Sequence, residues 1–195
     1  AIAYKWNAEK QKHEVYWTAS VASGGTPLVF DVNGDGLPEV IGGTSVLNGQ
    51  TGATIYSGSN NGSATYSIGN FDHDPNGYAS LLTSGGVFKW DDTSHKWIKK
   101  LSFSGNGGHT AYADFGTPGA TAADFDFTKL DGYPEYVFSG GNKLTLYAQR
   151  TKEDGTYEAQ LLMDVRGYAT GGPVTIGDFN NDGLPEIGIA SSGLF

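Results

Sequence analysis

The sequence predicts an all-β protein built from four repeats, and three observations support this prediction. An acidic, glycine-containing turn recurs four times along the 195 residues. Short apolar runs bounded by glycine flank the turns, which is the pattern of buried strands rather than of helices. Glycine is also abundant, at 30 residues, and aromatic residues make up 13 %, a mixture typical of many short strands joined by tight turns.

The first and fourth turns share one gapless pattern, Asp-x-Asn-x-Asp-Gly-Leu-Pro-Glu. It spans residues 31–39 and 178–186, and agreement over this length at two distant places is poorly explained by chance. Apolar runs precede the two turns, at Leu28–Phe30 and Val174–Ile176. They are too short for helices, so we expect a buried strand before each turn and another after it.

The second and third turns are degenerate copies. The second spans residues 72–80, keeps the first three acidic or amide positions and the glycine, and ends in Ser80 instead of glutamate. The third spans residues 124–135 and contains three additional residues between Asp126 and Asp131.

The turns begin at residues 31, 72, 124 and 178. A spacing of roughly 40–55 residues suits the four-stranded blade of a β-propeller and is too long for a leucine-rich solenoid repeat. We expect two buried strands around each turn, followed by two outer strands with one solvent-facing side. Such outer pairs are predicted at Gly86–Trp90 with Lys96–Leu101, and at Lys143–Tyr147 with Tyr157–Leu162.

Residues 1–20 resemble the outer strands of a blade, at Tyr4–Trp6 and Val15–Trp17. Phe195 follows soon after the predicted second strand of the fourth repeat. We therefore expect one β-propeller domain over residues 1–195. Its ends either complete one blade between them, which would close a small propeller of about four blades, or belong to a longer propeller.

Charge and composition exclude several classes of function. The formal net charge of −9 disfavours a nucleic-acid partner. No apolar stretch approaches the roughly 18 residues of a membrane span. The absence of cysteine excludes disulfides and cysteine-type zinc sites. Much of the acidic excess lies in the turns, so either it serves solubility or bound cations neutralise part of it.

The turns have the chemistry of a calcium site. Calcium takes six to eight oxygen ligands, and alternating carboxylate and amide oxygens in a short loop can surround it. The glutamate is the ninth residue of the turn and lies between strands, whereas an EF-hand has its glutamate at position 12 and helices on both sides. We expect about two to four Ca²⁺ ions in total; the alternative for each turn is a metal-free Asx turn.

The predicted ligands of the first turn are Asp31, Asn33, Asp35, the Leu37 carbonyl and Glu39, and those of the fourth are Asp178, Asn180, Asp182, the Leu184 carbonyl and Glu186. Those of the second turn are Asp72, Asp74, Asn76 and the Tyr78 carbonyl, and those of the third are Asp124, Asp126, Asp131, the Tyr133 carbonyl and Glu135.

These turns resemble the FG-GAP or VCBS-type repeat of integrin-alpha-like β-propellers, and Val46–Tyr56 resembles the outer hairpin of such a blade. The resemblance implies that calcium is structural and holds the loop between the first two strands of a blade. It also implies an extracellular or cell-surface protein. Members of the family include adhesion receptors, lectins and non-catalytic modules of polysaccharide-degrading enzymes, so the implied partner is a glycan or protein ligand on a cell surface.

Three functions remain open from the sequence. The first is a binding module, in which aromatic and polar side chains contact a glycan; the candidates are Trp90, Trp97, His109 and Tyr112. The alternative for the tryptophans is packing between blades. The second is an enzyme, such as a polysaccharide lyase or hydrolase, which we disfavour because no Ser-His-Asp signature, HExxH motif or phosphate loop is present. The third is a structural module of a larger surface protein, whose exposed sheet edges need further blades or a partner chain.

Overall fold

The computed structural model describes residues 1–21, 26–58, 65–103, 107–167, 169–170 and 172–192. These ranges contain β-strands and a single 3-10 turn, Ala122–Asp124, so the predicted all-β class is confirmed. Within them no helix is long and apolar enough to span a membrane. Phe195 and residues 104–106 lie outside the described residues.

Three antiparallel sheets of four strands account for most of the structure. The first consists of β3 (Leu28–Phe30), β4 (Glu39–Gly42), β5 (Ser45–Asn48) and β6 (Thr54–Tyr56). The second consists of β7 (Ser67–Gly69), β8 (Ser80–Thr83), β9 (Gly86–Asp91) and β10 (Lys96–Ser102). The third consists of β11 (His109–Ala113), β12 (Glu135–Gly140), β13 (Lys143–Thr151) and β14 (Tyr157–Arg166). Strand order follows the chain in each sheet, and an acidic turn joins its first two strands.

The remaining strands form two-stranded sheets. They are β1 (Ile2–Asn7) with β2 (Lys12–Thr18), β16 (Thr175–Gly177) with β17 (Glu186–Gly188), and β15 (Ala169–Thr170) with β18 (Ser191–Ser192). The fourth acidic turn lies between β16 and β17. Among the described residues no strand pairing joins β1 or β2 to β16 or β17, and closure of a ring stays a prediction.

The sheets pack side by side through their first strands: β3 lies against β7, β7 against β11, and β11 against β16. Three apolar clusters fill the spaces between successive sheets. Neighbouring residues of one strand pack into different clusters: on β8, Leu81 packs towards the first sheet and Leu82 towards the third. The second strands β4, β8 and β12 are therefore buried on both faces, which explains their apolar sequences. The first strands are less buried than the sequence predicted, since Val29 of β3 is 65 % exposed.

Candidate metal-binding turns and an adjoining cleft

The first position of the turn is the residue directly after a sheet's first strand. Asp31 follows β3, and its carboxylate accepts the N–H groups of Asp35 and Gly36 at 3.1 and 2.8 Å. Asp178 follows β16 and accepts the two equivalent N–H groups at 3.0 and 2.8 Å. Each loop therefore curls around the carboxylate that begins it.

The closing glutamate is the first residue of a sheet's second strand and points back into the loop. Glu39 accepts the N–H of Val32 at 2.9 Å, and Glu186 accepts that of Phe179 at 2.6 Å. Because the sheet holds the backbone of this glutamate, its carboxylate has a defined position relative to the first aspartate.

The fourth turn brings three carboxylates together. Asp178, Asp182 and Glu186 each place an oxygen within 4.8 Å of the others. Oxygens on opposite sides of a calcium ion lie about 4.6–5.2 Å apart, given Ca–O distances of 2.3–2.6 Å, so this spacing fits Ca²⁺. In the part of the chain that the structure describes, this is the one group of three acidic or histidine side chains that approaches so closely.

Three of the turns contain a glycine with the same left-handed backbone conformation. The φ angles of Gly36, Gly132 and Gly183 are 86°, 86° and 87°. Side chains disfavour this region, so the turn requires glycine there. The agreement indicates that the third turn, despite its insertion, ends as the first and fourth do.

The structure changes the register of the third turn. Asp114 directly follows β11, and its carboxylate accepts the N–H of Gly132 at 2.6 Å, as Asp31 does from Gly36. Glu135 accepts the N–H of Phe115 at 2.7 Å, which is the contact made by the other closing glutamates. Asp114 therefore takes the first position, and the loop between it and Glu135 carries the insertion.

Asp124 and Asp126, which the sequence placed among the ligands, bond within their own segment. Asp124 accepts the N–H and hydroxyl of Thr121 at 3.0 and 2.8 Å. Asp126 accepts the hydroxyl and N–H of Thr128, and these two bonds lower its pKa. One sequence signal could have identified Asp114. Like Asp31, it directly follows a short apolar run, which here is Ala111–Ala113.

The second turn is the most divergent. Asn70, rather than Asp72, directly follows β7, and its side-chain oxygen accepts the N–H of Asp74 at 2.8 Å. Asn70, Asp74 and Ser80 therefore occupy the positions that hold three carboxylates in the other turns. The N–H of Asn76 is the main cause that lowers the pKa of Asp74, and the neighbouring lysine of β9 lowers it further.

Burial raises the pKa of both buried closing glutamates. Glu39 is 3 % exposed, and its pKa is raised by burial and by the charges of Asp35 and Asp31, although the Val32 N–H opposes the shift. Burial, with the charges of the turn's aspartates, raises the pKa of Glu135 to about 8. A divalent cation in each turn would hold its glutamate ionised, because the cation offsets both burial and the repulsion from the aspartates of that turn.

The predicted sugar-stacking tryptophans are core residues, which corrects that part of the site. Trp90 and Trp97 are 3 % and 7 % exposed, with ring centroids 5.1 Å apart. The indole N–H of Trp97 donates to the Thr44 carbonyl of the neighbouring sheet at 3.0 Å. Both rings pack between the first and second sheets, as the packing alternative predicted, and their faces are not available to a ligand.

Tyr112 and His109 lie on β11, between the second and third sheets. The hydroxyl of Tyr112 donates to the Ile68 carbonyl at 3.1 Å, and its ring lies 4.5 Å from that of Phe71. This arrangement indicates packing between sheets. His109 is half-buried and pairs opposite Ser139, and residues 104–106 before it lie outside the described ranges.

A cleft of about 510 Å³ adjoins the third turn. Its walls come from the second and third turns and from the ends of β13 and β14 that face them. Tyr133 and Tyr157 line it and are 50 % and 40 % exposed. Polar walls are provided by Asp72, Gln149 and Arg150. Among these residues the sequence marked only Asp72 and the Tyr133 carbonyl, as turn ligands. The cleft itself was not predicted, because strand pairing brings its walls together from distant segments.

The fourth turn and the end of the third turn fall within a recognised repeat. A family model of the FG-GAP-like repeat matches residues 128–189. The matched segment includes the glycine and glutamate of the third turn and the whole fourth turn. No curated protein and no solved structure matches the chain. The resemblance expected from the turn sequences is therefore confirmed at the level of an FG-GAP-like repeat over this segment.

Proposed function

We propose that this chain is a calcium-stabilised extracellular binding module for adhesion or carbohydrate recognition, and not an enzyme. The observation that supports calcium most strongly is the convergence of Asp178, Asp182 and Glu186 within 4.8 Å. The first and third turns share the same hydrogen bonds, so the proposal extends to them. In the third turn the ligands are Asp114, Asp131 and Glu135.

The sheets are blades of a β-propeller in this proposal. Its support is the succession of first strands, in which β3 adjoins β7, β7 adjoins β11 and β11 adjoins β16. Such a succession is what blades arranged around one axis produce. Calcium then joins the first two strands of the first, third and fourth blades, which is also the role that the FG-GAP resemblance implies.

The proposed ligand is a glycan in the cleft beside the third turn. The exposed rings of Tyr133 and Tyr157 suit the apolar faces of sugars. Gln149, Arg150 and Asp72 supply hydrogen-bond donors and acceptors for hydroxyl groups on the same walls. An aromatic recess with a few convergent polar groups is the usual form of a small-molecule site.

The calcium part is tested by thermal unfolding in excess calcium and in excess chelator. We expect a higher melting temperature in calcium, because an ion that binds the folded chain stabilises it. Equal melting temperatures in the two buffers would refute this part. Magnesium at the same concentration is the control, and we expect a smaller shift because Mg²⁺ retains its waters.

The ligand part is tested on a glycan array with the variants Tyr157→Ala and Tyr133→Ala. Both should lose binding that the parent protein shows. Tyr4→Ala is the control, because Tyr4 is also an exposed tyrosine, at 61 %, but lies on the β1–β2 hairpin, away from the cleft residues. Binding that survives both cleft variants would exclude the cleft as the glycan site.

An assembly role in a larger surface protein is a second candidate, supported by the β1–β2 hairpin. Ile2, Tyr4, Trp6 and Val15 are each more than half exposed there. Contiguous exposed apolar side chains are typical of an interaction surface. Sedimentation analysis over a range of concentrations tests whether a second copy of this chain is the partner, and a monomer of 20.6 kDa throughout would exclude such self-association.

A further inference from the structure

The second sheet differs from the first at two positions that face each other on neighbouring strands. Ser80 begins β8 and lies opposite Lys89 on β9. The same two places in the first sheet are occupied by Glu39 and Asn48, which also face each other. The closing carboxylate is therefore lost at one position, and an ammonium group is gained at the position directly across from it.

Lys89 is buried and points into the second turn. The residue is 8 % exposed. Its Nζ lies 2.5 Å from Asp72 Oδ1 and 3.3 Å from Asp74 Oδ2, and it donates to the Tyr78 carbonyl at 2.7 Å. An ammonium group has three donors, so these three oxygens can take all of them.

The oxygens around Lys89 are those expected to bind a cation. Asp72, Asp74 and the Tyr78 carbonyl are three of the four ligands that the sequence predicted for this turn. Tyr78 lies two residues before β8, as Leu37 lies two residues before β4. Ser80 is 2 % exposed and its short side chain leaves this space to the lysine.

The charge of the second turn also suits a monovalent group. The first turn has three carboxylates at equivalent positions, from Asp31, Asp35 and Glu39. The second turn has Asn70, Asp74 and Ser80 there, so it has only one carboxylate at these positions. Asp72 adds a second carboxylate, with its side chain 48 % exposed. A divalent ion would have to displace Nζ from its oxygens and would leave a buried ammonium without a partner, which is strongly unfavourable.

We propose that the Lys89 ammonium is the built-in cation of the second turn, so that this turn is held without a metal ion. The inference goes beyond the proposed function and does not depend on it, because it concerns the one turn to which calcium is not assigned. It predicts that the second turn keeps its structure in the presence of chelator.

The first experiment measures the stability of Lys89→Met by urea denaturation in excess chelator. Methionine keeps an apolar stem and removes the charge. We expect the ratio of folded to unfolded protein to fall about tenfold or more, since hydrogen bonds to charged groups are lost, and to fall by the same factor in calcium. Lys96→Met is the control, because Lys96 is an exposed residue of the neighbouring strand β10, and we expect little change.

The second experiment counts bound calcium after equilibrium dialysis. Asp72→Asn should bind as many ions as the parent protein, whereas Asp182→Asn in the fourth turn should lose one. The unaltered protein offers a direct measurement as well: the ¹H–¹⁵N signal of a protected lysine ammonium, assigned by its absence in Lys89→Met, should persist in excess calcium.

Three results would overturn the inference. They are loss of a calcium ion in Asp72→Asn, disappearance of the protected ammonium signal when calcium is added, and stability of Lys89→Met equal to that of the parent in chelator. Failure of the proposed calcium function looks different: Asp182→Asn would then lose no ion, while Lys89→Met would still be destabilised.

Discussion

Gly34 in the first turn lies directly against the main-chain carbonyl of Asn76 in the second turn. A Cβ atom at Gly34 would overlap that oxygen, and the φ of Gly34 is +72°. The loops of neighbouring sheets therefore touch through backbone atoms, with no room for a side chain. The first turn is supported by the second, which explains why a degenerate second turn still needs a defined shape.

We expect Gly34→Ala to destabilise the protein by more than about 2 kcal/mol, since left-handed backbone costs an alanine about 1 kcal/mol and the overlap with a carbonyl forces the loops apart. Gly155→Ala is the matched control, because Gly155 also has a positive φ, of +78°, but has no atom within 4 Å of a built Cβ. Urea denaturation compares the two. An equal loss of unfolding free energy in the two variants would show that the contact with Asn76 does not contribute to stability.

Asp35→Asn separates metal binding from turn formation. Asp35 accepts the N–H of Leu37 at 2.8 Å, and an asparagine oxygen can keep this bond. In calcium we expect the variant to lose up to about 3 kcal/mol of stability, the contribution of an ion at 100 times its dissociation constant. In chelator it should match the parent. Thermal unfolding in both buffers makes the comparison.

Asp154→Asn is the control for that variant. Asp154 accepts the N–H of Thr156 at 2.9 Å in the same kind of Asx turn, between β13 and β14, where no ion is proposed. Its calcium-dependent shift should equal that of the parent. A shift reduced equally in both variants would mean that the Asp35 effect reports turn formation and not a metal ion.

Asp114→Asn tests the register of the third turn. If Asp114 begins the turn, the variant should bind one calcium ion fewer, or bind it at least about tenfold more weakly, because a carboxylate ligand is lost. Asp124→Asn should bind calcium as the parent does, since Asp124 bonds to Thr121. Equilibrium dialysis with atomic emission measures both. The reverse result would restore the register predicted from the sequence.

Glu135 predicts a pH dependence of the metal-free protein. Its pKa is raised from 4.5 to about 8, so the folded state favours the protonated form. That stabilisation is fully present below pH 4.5 and is lost as the pH rises through about 8. We expect a loss on the order of 5 kcal/mol across this window in chelator, because a pKa change of one unit corresponds to about 1.4 kcal/mol. Denaturation at a series of pH values measures it.

Glu135→Gln is the control for this pH dependence, because glutamine keeps the shape of the side chain and does not titrate. Its stability in chelator should change less than that of the parent between pH 5 and 8. In calcium the parent should bind the ion more tightly as the pH rises, since the ion displaces a proton. A parallel pH dependence in the variant would assign the effect to other groups.

Trp97→Ala should cost about 3–5 kcal/mol, the usual loss for a buried large aromatic side chain. It also leaves the Thr44 carbonyl without the indole donor that lies 3.0 Å away. Trp6→Ala should cost less than about 1 kcal/mol, because Trp6 is 52 % exposed. Similar losses in the two variants would contradict the placement of Trp97 in the core.

Sequence patterns predicted the short strands and the first and fourth turns correctly, because each of these elements is encoded by a few consecutive residues. The strand Leu28–Phe30 was predicted to these bounds, and the outer strands at Lys96 and Lys143 begin where expected. A short apolar run has few alternatives to a strand, because too few residues are available for a helix. The first and fourth turns follow from nine contiguous residues for the same reason.

The candidate site was predictable only where it is contiguous in sequence. Asp31, Asp35 and Glu39 lie in one short loop, and their shared hydrogen bonds could be expected from their spacing. Asp114 and Glu135 lie at opposite ends of an insertion, so alignment of the acidic residues alone placed the third turn too late in the chain. The pairing of β11 with β12 brings them together.

The sequence by itself determined the all-β class, the repeated turn and its suitability for an oxygen-ligated cation. Only the tertiary structure decided which side chains from other strands contact each turn. Lys89 reaches the second turn because β8 and β9 pair in a register that sets it opposite Ser80, and Trp97 is buried because a second sheet covers it. Such contacts depend on strand register and on packing between sheets, which join residues far apart in the chain and leave no local periodic signal.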